Sequence, residues 1–250
     1  MLELFQTFAL PVLAIMIVSY LLGSISFSII FTKMFSKEDI RTMGSGNAGT
    51  TNVLRSVGKR AAILTFVFDI LKCVISVLLA KYILEYICAA SNAPFYIVNY
   101  GIYLAGFCCS IGHMYPIFFK FKGGKGVVTV ATMAALADWR VFLAVIGLFI
   151  VVFAIWRMVS LGSVIAAGTY PIATFFVTFF TDYYHGGIVS LKYVLIVTAI
   201  TALMGGIVIF KHRGNIVRIM NGTEKKLFGN KEKARGCFRC NFWTGAYLRE

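Results

Sequence analysis

A succession of apolar runs, most near or above the length of a lipid bilayer, constrains this chain more than any other feature. They fall at about residues 8–32, 61–84, 97–119, 127–137, 141–156, 161–180 and 190–210. About 20 apolar helical residues cross a hydrocarbon core roughly 30 Å thick. Lipid offers no partner to backbone N–H and C=O groups, so such runs must satisfy them internally as helices. The expected fold is therefore all-α, a polytopic integral membrane protein. Composition agrees, with 59% hydrophobic and only 14% charged residues, against roughly 25% charged in soluble domains. The first run carries Glu3 with no lysine or arginine ahead of it and outlasts a secretory h-region, so it reads as a span.

The fourth run is short. At about 1.5 Å per residue it covers only about 17 Å, and 127–156 has the alternative of forming one long helix with Asp138, Trp139 and Arg140 inside it. Charge decides between them. With seven transmembrane helices, Lys33, Lys37, Arg41, Arg55, Lys59, Arg60, Lys120, Lys122, Lys125, Arg157 and every basic residue from Lys211 onward share one face, leaving Lys81, Arg140 and Lys192 on the other. Six helices would strand the basic C-terminal segment opposite the other basic loops. By the positive-inside rule the N-terminus is then outside and the C-terminus cytoplasmic.

The net charge of +14 is explained by that topology and by attraction to anionic membrane lipid. A nucleic-acid partner is not expected, because the basic residues do not gather on a soluble domain, and nothing points to an obligate protein partner. Cys73, Cys88, Cys108 and Cys109 lie in or beside apolar runs, where cysteine acts as a small hydrophobe. Cys237 and Cys240 form a lone CxxC, half of a zinc site, and receive no role. No metal and no cofactor is expected.

Three loops, all assigned to the cytoplasmic face, carry chemistry. In GSGNAGTTN, Gly44, Gly46 and Gly49 have GxGxxG spacing, but no strand leads into them, so a dinucleotide fold is not indicated. Thr50 stands where a P-loop lysine belongs. The residues Ser45, Asn47, Thr50 and Asn52 among these glycines, followed by Arg55, make a pliable, donor-rich backbone beside a positive charge, suited to an anion. In the second loop Gly123, Gly124 and Gly126 surround Lys125 and lead into the short fourth helix, whose unpaired N–H groups would favour phosphate. His113, just inside an apolar helix, reads as a satisfied polar residue more readily than as a catalyst. In the third loop His212, Asn215 and Arg218 recur every three residues and share a face if a helix continues there, with Glu224 as a structural tie to a basic partner. Ser160 and Ser163 begin the sixth run on the same face. Asp69 and Lys72, three apart within the second run, are taken as a structural pair.

Together GSGNAGTTNVLR, GHMYPIFFKFKGGKGV and HRGNIVRIMNGTEKK resemble the three motifs of the membrane-integral acyl-phosphate:glycerol-3-phosphate acyltransferases of bacterial phospholipid synthesis, the PlsY family. The likeness runs from about Gly23 to Leu227, implying one acyltransferase unit over 1–227 and a basic tail, 228–250, of unknown role. It implies transfer of a fatty acyl group from acyl-phosphate to the 1-hydroxyl of sn-glycerol 3-phosphate, giving lysophosphatidic acid and phosphate, at the cytoplasmic face of a bacterial cell membrane. By motif position Ser45, Arg55, Lys125, His212 and Asn215 would be catalytic. Gly44, Gly46, Asn47, Gly49, Thr50, Asn52, Gly123, Gly124, Gly126, Ser160 and Ser163 would bind substrate or phosphate. Tyr115 stands where phenylalanine is usual and Gly162 where serine is common. The HxxxxD signature of soluble-domain acyltransferases is absent, since Phe118, Ser190 and Val217 lie five residues beyond the three histidines. A transporter of a phosphate-bearing solute would share the basic vestibule and broken helix, but the polar clusters lie on one face and no internal repeat is evident. A noncatalytic lipid-binding scaffold would need none of the glycine loops.

Overall fold

The computed structural model describes residues 2–227, and every regular element in that range is helical. Its α-helices are α1 (Leu2–Ser24), α2 (Phe27–Ser36), α3 (Thr50–Ser56), α4 (Lys59–Ser91), α5 (Tyr96–Met114), α6 (Val127–Ala137), α7 (Trp139–Trp156), α8 (Val159–Val177), α9 (Leu191–Lys211) and α10 (Arg213–Met220). A π-helical turn, Thr178–His185, prolongs α8. The basic tail with Cys237 and Cys240 lies outside the described residues.

Six stretches are long and apolar enough to cross a membrane, with α1 and α2 counted as one, 6–36, and α8 with its π extension as another. The 11-residue α6 is too short to do so unaided. Residues 127–156 do not form one helix. Asp138 leaves the helical region (φ −153°, ψ 104°) and its carboxylate accepts a hydrogen bond from the Arg140 N–H at 2.9 Å, capping α7. The first apolar run also divides: the chain turns at Ile25 and Ser26 before α2 resumes.

The bundle is inside-out in composition. Leu10, Leu13, Ile63, Leu143, Ile150 and Leu195 are exposed on its outside, whereas Ser24, Ser28, Thr32, Asp69, Lys72, Ser76, Ser110 and Thr201 are buried. That is the distribution of a protein dissolved in lipid, where helices associate by close packing and internal hydrogen bonds. α1 packs on α5 most closely, because Gly23 and Gly112 are bare: a Cβ on either would overlap backbone of the opposite helix, at Cys109 and Tyr20 respectively. α4 joins this pair, α6 fits among α4, α5 and α7, and α8 lies between α7 and α9. One apolar core runs through all of them, including Leu84, Cys109, Met133, Tyr170 and Met204.

The alternation of helix directions separates two ends. At one, the Arg140 guanidinium bridges Asp138 (2.8 Å) and Asp182 (2.7 Å), stapling the start of α7 to the end of the π turn. At the other lie the loops after α2, after α5 and after α9, and the junction of α7 with α8. The loop after α2 has its own small core, Ile29, Ile40, Ala48, Val53, Ala61 and Ala62, which holds it against the bundle.

Candidate active site

The loop preceding α3 is shaped by Asn52. Its Nδ2 donates to the main-chain oxygens of Met43 (3.0 Å), Asn47 (3.1 Å) and Ile40 (3.3 Å), while its Oδ1 accepts from the N–H of Ser45 at 3.0 Å. The Asn52 side chain therefore spends its hydrogen-bonding capacity on the loop. Gly44 and Gly46 turn at φ 59° and 70°, in the left-handed region where a side chain is strained. The result presents Ser45 outward, Asn47 and Gly49 half-buried, and Arg55 exposed one turn into α3. The Thr50 hydroxyl is buried without a hydrogen-bond partner among the described residues.

The glycine loop after α5 is moulded on His113 and Met114. Gly124 N–H donates to the His113 carbonyl at 3.1 Å. A Cβ on Gly123 would overlap that carbonyl, and one on Gly124 would overlap the His113 ring. Gly126 turns at φ 80° against the Met114 sulfur and starts α6. This brings Lys125 to the N-terminal end of a helix, where unpaired N–H groups and the positive end of the dipole favour an anion. His113 itself is buried with Lys72 and Asp69 as partners, as expected of a satisfied polar residue.

The third segment forms the helix α10, so His212 and Asn215 do share its buried side. The Lys125 ammonium donates to Asn215 Oδ1. Asn215 Nδ2 donates in turn to Ser160 Oγ (2.8 Å) and Glu224 Oε1 (2.7 Å). Ser160 also donates to Glu224 Oε1 at 2.6 Å, and Arg218 Nε donates to Glu224 Oε2 at 2.8 Å. Glu224 thus gathers Ser160, Asn215 and Arg218, the last as its basic partner. Ser163 is placed differently: its hydroxyl donates to the Val159 carbonyl of its own helix at 2.8 Å.

Three contacts absent from any motif spacing draw the loops together. Arg41, paired with Asp39 at 2.6 Å, donates through Nη1 to the Phe119 carbonyl at 2.9 Å, joining the first loop to the second. Arg55 Nη2 donates to the Lys225 carbonyl at 3.1 Å, joining the first to the third. Leu227 N–H donates to the Arg157 carbonyl at 2.8 Å, so 221–227 crosses back over the start of α8. Two of these ties are made by guanidinium side chains, Arg41 and Arg55, whose charge is visible in the sequence; the third joins main-chain groups and leaves no signal there.

Burial pushes the Lys125 ammonium down to about 8, with Arg218 and Arg55 adding to the effect and Glu224 opposing it. It remains mostly protonated at neutral pH. Burial likewise pushes His212 down to about 4, helped by the Lys125 charge, so its imidazole is neutral. His212 Nδ1 lies 2.8 Å from the Val208 carbonyl and must donate to it, leaving a lone pair on Nε2. For Glu224 burial acts upward, but the hydrogen bonds from Ser160, Asn215 and Arg218 outweigh it and hold the carboxyl below its usual value.

Two openings flank this network. A cavity of about 410 Å³ is lined by Asp39, Arg41, Thr42, Gly46, Lys120, Lys122 and Gly123. An apolar groove of about 380 Å³ is lined by Tyr115, Ala202, Leu203, Gly206, Ile207 and Phe210. Lys211 caps the groove, 4.0 Å over the Tyr115 ring and donating to the Met114 carbonyl at 3.0 Å.

The glycerol-3-phosphate acyltransferase family pattern matches residues 13–222. A glycerol-3-phosphate acyltransferase of Clostridioides difficile (strain 630) is 41% identical over 218 residues, 87% of this chain and 96% of its own. One from Jannaschia sp. (strain CCS1) is 37% identical over 228 residues, 91% of this chain and 98% of its own. Among solved structures, the glycerol 3-phosphate form of PlsY, an integral membrane glycerol 3-phosphate acyltransferase, superposes with a TM-score of 0.66 at 33% identity, covering 90% of this chain and 99% of PlsY. Its lysophosphatidic acid form gives 0.63 at 32% identity, covering 87% and 95%. The chain belongs to the glycerol-3-phosphate acyltransferase family of integral membrane proteins.

Proposed function

We propose that this acyltransferase takes its acyl group from a fatty acyl-phosphate and delivers it to the 1-hydroxyl of glycerol 3-phosphate at the cytoplasmic face of a bacterial cell membrane. The observation that carries the reading is the joining of three separate loops into one network, Lys125 to Asn215 to Ser160 and Glu224, with Arg55 tied in beside it. That network concentrates cations around glycine-loosened backbone, as two phosphorylated substrates require. No obligate protein partner, metal or cofactor enters the proposal.

An acyl-phosphate is a mixed anhydride and already activated, so positioning and charge stabilisation suffice without a covalent enzyme intermediate. The glycerol 3-phosphate hydroxyl oxygen bonds to the acyl carbon, and the bond from that carbon to the phosphate oxygen breaks. Lys125, the backbone at Gly123, Gly124 and Gly126, and the first turn of α6 hold one phosphate. Arg55, with Ser45 and the backbone at Gly44, Gly46, Asn47, Gly49 and Thr50, holds the other. The lone pair on His212 Nε2 orients the hydroxyl. A group titrating at about 4 is a weaker base than a phosphate, whose second pKa lies near 6, so the proton ends on the departing phosphate. The groove under Lys211 accommodates hydrocarbon next to the headgroup site.

The site end also collects Lys33, Lys37, Lys59, Arg60, Lys120, Lys122 and Arg157, against Lys81, Arg140 and Lys192 at the opposite end. The positive-inside rule then supports a cytoplasmic site, an outside N-terminus and seven membrane-inserted helices in a single unit over 1–227, with α6 as the half-length member. Purified protein in detergent, given acyl-phosphate or acyl-CoA with glycerol 3-phosphate, tests the donor. Lysophosphatidic acid and phosphate should form in equal amounts from acyl-phosphate alone; product formation only from acyl-CoA would refute the proposal.

A further inference from the structure

Beneath the glycine loop lies a set of ionisable side chains that the proposed reaction leaves unused. Lys72 and Asp69 of α4 are 3% and 1% exposed, one turn apart, and form a 2.8 Å ion pair. Lys72 Nζ also lies 2.9 Å from the Ile25 carbonyl and 3.1 Å from that of Gly23, two oxygens at the break between α1 and α2. Its third hydrogen-bond partner is His113 Nδ1, at 3.0 Å, so all three N–H groups are used and the Asp69 contact is electrostatic, Asp69 Oδ1 accepting no hydrogen bond among the described residues. Asp69 Oδ1 stands farther from that nitrogen, at 3.5 Å. Burying two charges is costly, and replacing a buried ion pair by apolar residues of similar volume is often neutral or stabilising in proteins. The charges therefore call for a task beyond packing.

His113 supplies it. Its carbonyl holds the Gly124 N–H, and its ring lies where a Cβ on Gly124 would have to go, beside the Ala48 carbonyl of the first loop. The segment bearing Lys125 thus rests on both the backbone and the ring of His113. An ammonium has donors only, so an imidazole nitrogen bonded to it must accept. The ring proton then sits on Nε2, the atom that faces Gly124.

We propose that Lys72, balanced by Asp69, is a positioning residue for acyl transfer: it holds His113 in one orientation and in the Nε2–H tautomer, and His113 holds the Gly123–Gly126 backbone where Lys125 meets phosphate. The inference rests on the phosphate-binding role proposed above for that loop. A displacement of about 1 Å at a reacting group is worth about 10²-fold in rate, which sets the scale of the effect.

The test is nitrogen NMR of protein labelled with 15N-histidine in nanodiscs, the His113 signals assigned by their loss in His113→Gln. The wild-type ring should be protonated at Nε2 and unprotonated at Nδ1. Lys72→Met alone strands the Asp69 carboxylate, so the variant of choice replaces both, Asp69→Leu with Lys72→Met. It should stay folded, with some loss of thermal stability from the two main-chain oxygens left without a donor, lose the single-tautomer signature and fall about 10²-fold in kcat/KM for glycerol 3-phosphate. A wild-type ring protonated at Nδ1 would overturn the positioning role whether or not the double variant folds, as would a folded double variant with wild-type kcat/KM. Inactive wild-type protein that still shows the Nε2–H signature would instead overturn the acyltransferase reading beneath it.

Discussion

Lys125 donates a hydrogen bond to Asn215 across 90 residues of chain, joining the glycine loop that precedes α6 to the buried face of α10. Asn215 relays that contact to Ser160 and Glu224, so α6, α8, α10 and the 221–227 segment keep fixed positions around one ammonium group.

Removing the cations should therefore stop the chemistry and spare the fold. We expect Lys125→Ala and Arg55→Ala each to lose about 10²–10³-fold or more in kcat/KM, the scale of deleting one preorganised electrostatic contact. Thermal denaturation in the same detergent should stay within a few degrees of wild type, since neither side chain belongs to the apolar core.

Activity and stability should respond to alkaline pH in opposite senses. Lys125 gives up its proton near pH 8, so kcat/KM falls above that pH, and Lys125→Arg, if active, moves the fall upward. The folded state binds this proton more weakly than the unfolded chain, where lysine titrates near 10.5. The unfavourable contribution to stability is fully present below about pH 8 and is relieved as pH rises toward 10.5. Wild type should thus gain stability relative to Lys125→Met across that interval, measured by denaturation at matched pH values.

His212→Ala should reduce kcat by about 10²-fold through loss of hydroxyl orientation. The reduction should persist between pH 5 and 8, because the wild-type imidazole, pushed down to about 4, does not titrate there. A wild-type pH profile whose acid limb followed a histidine of ordinary pKa, and vanished in His212→Ala, would argue against this assignment.

The Glu224 carboxylate accepts from Ser160, Asn215 and Arg218, and its removal should show in both readouts. Hydrogen bonds to a charged group contribute about 1.5–3 kcal/mol, and Glu224→Ala leaves Asn215 Nδ2 and Arg218 without that acceptor. The melting temperature and activity should fall together, with Glu224→Gln intermediate. Its folded-state pKa is depressed, so this stabilisation is present above the ordinary carboxylate pKa and is lost as pH drops through the folded value.

At the far end, Arg140→Ala takes from Asp138 and Asp182 the cation they share, leaving Asp138 the residue 140 N–H and Asp182 the Thr181 hydroxyl as donors. A destabilisation of about 1–3 kcal/mol is expected, with unchanged kcat/KM in the folded fraction.

The apolar runs were legible because bilayer thickness imposes a minimum length on every span, and the glycine and asparagine loops because few folds need such backbone beside fixed cations. The break at Asp138 was legible from the distribution of basic residues between the two faces, which calls for two helices within 127–156. Other features were not, because they depend on partners distant in the chain. Three-residue spacing pairs Asp69 with Lys72, but nothing in α4 indicates that His113 and the Gly23 carbonyl complete the cluster. Asn52 is itself one of the substrate ligands expected from its motif, but its amide bonds the main chain of its own loop, a placement set by neighbours in space. Ser160 and Ser163 look alike in sequence; helix phase sends one toward Glu224 and the other back onto Val159.

The most direct measurement of the central claim is the affinity of the purified protein for glycerol 3-phosphate in the absence of acyl donor, by calorimetry, in wild type, Arg55→Ala and Lys125→Ala. The convergence of three loops on one anion site predicts that at least one substitution weakens binding by tenfold or more, a loss of about 1.4 kcal/mol, with the fold intact. Wild-type affinity in both variants would contradict it.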